Sequence, residues 1–172
     1  MQGARQGNAT AKTMTVIEEL PPLIGAYVLV IDTANAITLK IRGRAHRLSP
    51  SRYLYCGSAR GPGGIRARVG RHLKKEKSLR WHVDQLTVKG EISNVIVAPD
   101  STECALFEQL SAMPGGEIPI PGFGSSDCRH CPAHLLRIPD KAMIMGRLPL
   151  ETALGTNLTA MCYRFQPIDP GV

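Results

Sequence analysis

Four short segments carry side chains suited to work on a phosphate ester. They are GAY at 25–27, YLYCG at 53–57, RARVGRH at 66–72 and TECALFEQL at 102–110. Between them they supply Tyr27, Tyr53, Tyr55, Arg66, Arg68, Arg71, His72, Glu103 and Glu108. Arg68 and His72 stand four apart, so a helix puts them on one face. An arginine offers a planar fork that matches phosphate oxygens. A single carboxylate can hold a hard divalent cation that keeps waters in its shell. A tyrosine is a poor base at neutral pH, with an ordinary pKa of about 10, but nearby positive charge lowers it. A fifth segment, Cys128-x-x-Cys131-x-x-His134, has zinc-type donors. It gives three close ligands, with a fourth only if Cys162 or His130 joins. The plainer expectation there is a loop with reduced cysteines.

The charge distribution supports a polyanionic partner. The chain has 172 residues and a formal net charge of +7. From Lys40 to Lys89 there are fourteen Lys/Arg against two acids, Glu76 and Asp84, a local net of +12. The remainder therefore sums to −5. A basic block in an acidic frame attracts nucleic acid first and an anionic membrane second. Arg60, Arg66, Arg71, Lys74 and Lys75 are the candidate phosphate contacts; the simplest alternative for them is a solvated surface. With 43% hydrophobic residues a packed core is expected,. No apolar run nears the roughly 20 residues of a membrane span. The first fourteen residues are small and polar and read as a flexible tail, with Met14 an alternative start. Five cysteines, an odd number, and no secretory signal point to reduced thiols in a cytoplasmic protein,.

The elements that must position these residues follow from pattern. GAYVLVID (25–32) reads as a strand, and ITLKIRG (37–43) as a half-buried strand with Ile37, Leu39 and Ile41 on one face. The two are expected to form a hairpin. Arg52–Cys56 is a further strand. GSARGPGG (57–64) is a glycine-rich turn. IRARVGRHLKKEK is a helix buried along Ile65, Val69 and Leu73. The turn does not match a nucleotide-binding loop, since no Lys-Ser/Thr follows. Its backbone N–H groups and the helix N-terminus could still approach a phosphate. SLRWHVDQL (78–86) is a short helix with Trp81 and Leu86 buried. EISNVIVAP (91–99) is a strand. Asp100 caps a helix to about Ala112, so Glu103 could serve as its N3 capping residue, in place of a role as metal ligand or alongside it. A Pro/Gly-rich loop and a last short strand close the domain by Ile138. The expected fold is α+β, a small antiparallel or mixed sheet flanked by helices. The domain covers 15–138, and 139–172 is an extension of unassigned structure.

In this order the segments resemble the GIY-YIG nucleases. Those proteins have Gly-x-Tyr on one strand, Tyr-x-Gly closing another, a helix with Arg-x-x-x-His, and a helix with an acid near its start. The resemblance is closer to an uncharacterised branch of that superfamily. Its members carry GSA with a GPGG loop, Trp-His-x-Asp and a terminal GFGSSDC, and some are fused to endonuclease III-type DNA glycosylases. GSARGPGG (57–64), WHVD (81–84) and GFGSSDC (122–128) all stand here. The resemblance implies that Tyr27 and Tyr55 are the signature tyrosines, and that Arg68 is the phosphate-binding arginine. It places Glu103 as the ligand of one Mg²⁺ or Mn²⁺ ion, with Glu108 a weaker candidate, and His72 beside them. The implied activity is metal-dependent hydrolysis of nucleic acid, DNA favoured over RNA, with a repair protein as a further partner. The alternative is a nucleic-acid-binding module without catalysis. The gap between the tyrosines exceeds the family's usual turn and reads as an inserted or extended hairpin. Where the family often has a late Asn, this chain offers Ser125, Ser126 and Asp127.

Overall fold

The computed structural model describes residues 17–138 and the strand Met161–Arg164, where Tyr163 alone has a described side chain. The expected tail (1–14) and the segment 139–160 lie outside the described residues. The architecture is α+β, as expected. A five-stranded antiparallel sheet runs in the order β6-β4-β1-β5-β7, made of β1 (Gly25–Asp32), β4 (Arg52–Ala59), β5 (Glu91–Ala98), β6 (Leu135–Ile138) and β7 (Met161–Arg164). β2 (Ile37–Ile41) and β3 (Arg44–Leu48) form a separate two-stranded sheet. α1 (Gly64–Leu73), α2 (His82–Lys89) and α3 (Glu103–Ser111) complete the fold. Among the described residues no helix is long and apolar enough to cross a membrane.

β1 is apolar on both faces because it lies at the centre of the sheet, where each face must be covered,. It therefore does not form the expected hairpin with β2. Its hydrogen bonds go to β4 and β5. β2 instead pairs with β3 across Arg42-Gly43, whose φ values of 48° and 79° suit a two-residue hairpin turn,. The long gap between the tyrosines is thus an inserted hairpin, with Ile37, Leu39 and Ile41 buried as the alternation predicts.

One face of the sheet packs Tyr27, Leu29 and Ile31 against α1, α2 and the hairpin, through Ile65, Val69, Leu86 and Leu39. The other packs Val28, Val30 and Cys56 against Leu106, Phe107 and Leu110 of α3. Three helix details differ from expectation. α1 stops at Leu73, and the Lys77 ammonium folds back onto the carbonyl of His72 at 2.7 Å. Trp81 precedes α2 and is 38% exposed, not buried, and its ring lies against two arginine side chains rather than in the apolar core. The cap of α3 is Thr102, whose hydroxyl accepts from the Ala105 N–H, so Asp100 is not the cap. Glu103 is then the first helical residue and cannot be the N3 member of a capping box.

The start of α1 is committed to the chain itself. The N–H of Ile65 donates to the Leu23 carbonyl at 2.8 Å, and that of Arg66 to Pro21 at 3.2 Å. These two donors are spent on the lead-in segment and are not open to a phosphate. Gly64 makes the contact possible. It sits at φ 54°, and a Cβ there would lie 2.2 Å from the Leu23 carbonyl oxygen. Gly64→Ala should therefore cost about 1–3 kcal/mol in urea unfolding. Gly61→Ala, which meets nothing within 4 Å, should stay within about 0.5 kcal/mol of the parent.

Candidate functional site

Tyr27 and Gly57 sit opposite one another in the β1–β4 register. A Cβ on Gly57 would fall 2.5 Å from Cζ of Tyr27 and 2.6 Å from its hydroxyl. The missing side chain is what lets the Tyr27 ring lie across β4. Tyr55 stands two residues before Gly57 on the same face, and Gly124 plays a like part beside its ring, at 2.8 Å. Burial pushes the Tyr27 phenol well above its usual pKa of 10, and the neighbouring Tyr55 adds to this. Burial also raises Tyr55. Arg68 pulls both down, as charge alone predicts, but burial outweighs it. Both phenols therefore rest protonated.

The Tyr27 hydroxyl lies 2.8 Å from Nε2 of His72. Burial, reinforced by Lys77, lowers the His72 pKa to about 3, so the ring is neutral at ordinary pH. A protonated phenol then donates to Nε2, and the ring proton sits on Nδ1. That nitrogen is buried, has no hydrogen-bond partner, and faces Oδ1 of Asp84 at 3.8 Å. Asp84 was not anticipated as a site residue. It is fully buried, and burial acts to raise its pKa. The two-pronged bond from Arg71 (2.8 and 3.0 Å) and the N–H groups of Trp81 and Arg80 outweigh burial and hold it at about 2. Tyr27, His72 and Asp84 thus form a line from phenol to imidazole to carboxylate. The only sequence hint was the WHVD string.

A cleft of about 570 Å³ opens over this line. Tyr27, Tyr55, Arg68, His72 and Glu103 all line it, so the five expected site residues come together from β1, β4, α1 and α3. Arg68 lies 4.3 Å from the centre of the Trp81 ring and has no carboxylate within ion-pair distance among the described residues. Oε2 of Glu103 is buried and accepts no hydrogen bond. Asp127 also lines the cleft, whereas Ser125 is buried and Ser126 exposed. Glu108 is exposed on α3.

The expected phosphate contacts divide. Arg60 and Lys74 are exposed. Arg71 is tied to Asp84, and Arg66 to the Leu20 carbonyl at 2.6 Å. Lys75 reaches Glu91 at 2.9 Å and the Thr87 carbonyl at 3.1 Å.

A second cluster shares the cleft wall. One donor atom each from Cys104, Cys128, Cys131 and His134 lie within 4.8 Å of one another, a group that could hold a metal ion. Among the described residues the fourth member is Cys104 of α3; the expected alternative His130 is exposed, and the side chain of Cys162 lies outside the described residues. None of Cys56, Cys104, Cys128 and Cys131 forms a disulfide.

The fold and cleft define an α+β protein with a neutral histidine, a free arginine and an unsatisfied carboxylate facing one cavity. By sequence, the chain belongs to the family described as domain of unknown function DUF123, whose model matches residues 26–152. No curated protein and no solved structure matches the chain.

The buried histidine has a pH signature. Unfolded, His72 takes a proton near its usual 6.5; folded, only near 3. Between these values the unfolded chain holds more protons, so this contribution to stability is full above about pH 6.5 and is lost as pH falls toward 3. Urea unfolding at stepped pH should show the parent losing stability over this window faster than His72→Gln.

Proposed function

We propose that the cleft is the active site of a metal-dependent nuclease of the GIY-YIG kind, hydrolysing phosphodiester bonds of nucleic acid, DNA by preference. The observation that carries this reading is the meeting of Tyr27, Tyr55, Arg68, His72 and Glu103 in one cavity. Glu103 fits a hard cation: its buried Oε2 has no partner, and a buried carboxylate oxygen without one is costly. Mg²⁺ or Mn²⁺ held there would supply charge neutralisation at the phosphate and at the leaving oxygen.

The chain's own residues do the rest. Tyr27 takes a proton from the attacking water as its own passes along the 2.8 Å bond to His72,. The imidazolium so formed faces the Asp84 carboxylate, which Arg71 holds in place. Burial raises the Tyr27 phenol and lowers the His72 imidazolium, so neither charged form is populated at rest and the relay runs only in concert with attack on the phosphate. Arg68 presents its fork to the non-bridging oxygens, and its stacking on Trp81 leaves its N–H edge available. Tyr55, protonated, donates to the same phosphate. Arg60 and Lys74 extend the positive surface along which a strand would lie. The sulfur-rich cluster suits zinc, not magnesium, and takes no part in this step.

The test is a Mg²⁺/Mn²⁺ cleavage assay on labelled linear, flapped, branched and single-stranded DNA and RNA. The parent should cut, and Glu103→Ala and Arg68→Ala should lose cutting without losing their fold by circular dichroism. Tyr27→Phe should lower the rate about 10²–10⁴-fold while binding persists. Salt-dependent binding by parent and Glu103→Ala alike, with cleavage by neither, would replace this reading with that of a non-catalytic nucleic-acid-binding module.

A further inference from the structure

The Cys128-x-x-Cys131-x-x-His134 segment is not used by the step above, yet its side chains are arranged as a ligand set. Sγ of Cys104 lies 3.5 Å from Sγ of Cys128 and 3.7 Å from Nε2 of His134. With Zn–S near 2.3 Å and Zn–N near 2.1 Å, the edges of a tetrahedron around one zinc ion are roughly 3.5–3.8 Å. These two edges are already of that size, and all four donor atoms lie within 4.8 Å of one another, so closing on an ion shortens no edge by more than about 1 Å.

The surroundings point the donors inward. Nδ1 of His134 lies 3.0 Å from the carbonyl oxygen of Gly124. A carbonyl only accepts, so Nδ1 carries the proton and Nε2 turns its lone pair to the cluster. A carbonyl on the far nitrogen is the usual partner of a metal-bound histidine. His134 is 3% exposed, so the ring has little freedom to turn away. Cys128 accepts from the backbone N–H groups of Cys131 (3.2 Å) and His130 (3.4 Å). Such N–H···S bonds favour a thiolate. Three thiolates and one imidazole are a soft set that selects zinc over magnesium or calcium.

We propose that Cys104, Cys128, Cys131 and His134 bind one Zn²⁺ ion that pins the loop 119–134 to the first turn of α3, and so fixes the carboxylate of the adjoining Glu103. Binding exchanges up to three thiol protons for the ion, one released to solvent per thiolate formed, and the neutral imidazole releases none. The zinc site stands independently of the nuclease reading, and only the catalytic meaning of a fixed Glu103 rests on that reading. The ion is structural: four protein ligands fill a tetrahedral site and leave no open position for water or substrate.

The full chain, purified from cells grown with added zinc and without chelator, should contain one Zn²⁺ per chain by elemental analysis. Cys128→Ser/Cys131→Ser should lose it, and His130→Ala should keep it. Cobalt exchanged into the parent should show the thiolate charge-transfer absorption of a tetrahedral sulfur site, a readout that needs no variant to fold. Removing zinc with a chelator, then restoring Mg²⁺, should lower the melting temperature by more than about 5 °C. Metal-free protein with a Cys104–Cys128 disulfide, or zinc retained by the double variant, would overturn the site. An unchanged melting temperature would overturn its pinning role. A chain that holds zinc but cuts nothing sinks the nuclease reading and leaves the site standing; a chain that cuts yet contains no zinc as isolated from zinc-supplemented cells does the reverse.

Discussion

The buried carboxylate of Asp84 is the point on which the rest of the cleft depends. It accepts both arms of Arg71 from α1 and two backbone N–H groups at the start of α2. One side chain thereby ties together the two helices that cover the tyrosine face of the sheet. An uncompensated charge at that depth would cost several kcal/mol, and the four donors remove the penalty. The same arrangement faces His72 with negative charge without handing it a hydrogen bond. Charging of His72 is disfavoured by burial, and among the described residues Asp84 is the carboxylate that opposes this. The histidine is therefore held neutral at rest, with a fixed negative charge beside it to balance one gained in passing.

The cleft itself arises where side chains are missing. Gly57 yields its place to the Tyr27 ring, and Gly124 yields to Tyr55. The two tyrosine rings thus lie across the sheet and line the cleft, with Tyr27 itself almost fully buried against His72. Trp81, stacked beneath Arg68 and Arg71, makes the opposite wall. Two guanidinium planes cover its ring where a tryptophan usually finds apolar neighbours, and the residue stays 38% exposed,.

Much of this could be read from the residues in order. Strand and helix types followed from alternation and four-residue stepping, and Tyr27, Tyr55, Arg68, His72 and Glu103 share a cavity. What could not be read depends on distances through space. Periodicity says that β1 and β2 are strands but not that β1 needs a neighbour on each side, so their pairing was misassigned. Cys104 is separated from Cys128 by a helix and a loop, and no spacing rule joins it to the CxxCxxH string. Arg71 counts as one more positive charge in a basic run until its partner is seen; the run therefore overstates how much cation is left for a ligand. Trp81 looked like core because tryptophan usually is.

The inserted β2–β3 hairpin leaves and rejoins the sheet at nearly one place. Thr33 and Ser51 are stitched by three hydrogen bonds, from the Thr33 N–H to the Ser51 carbonyl at 3.0 Å, from the Ser51 N–H to the Thr33 hydroxyl at 3.0 Å, and from that hydroxyl to the Ser51 carbonyl at 3.2 Å. Just inside the stitch, Arg52 and Asp32 form an ion pair at 2.6 Å. The chain ends flanking the insertion are thus held together by contacts that do not involve the insertion. Such a junction behaves like a socket: what is plugged into it can lengthen, shorten or change shape over evolutionary time while the strands that carry Tyr27 and Tyr55 keep their register. The present occupant has grown roots, since Gln85 of α2 grips the Lys40 backbone on both its N–H and carbonyl at 2.8 Å. A module that could have been a passive turn has become a brace for the helix carrying Asp84.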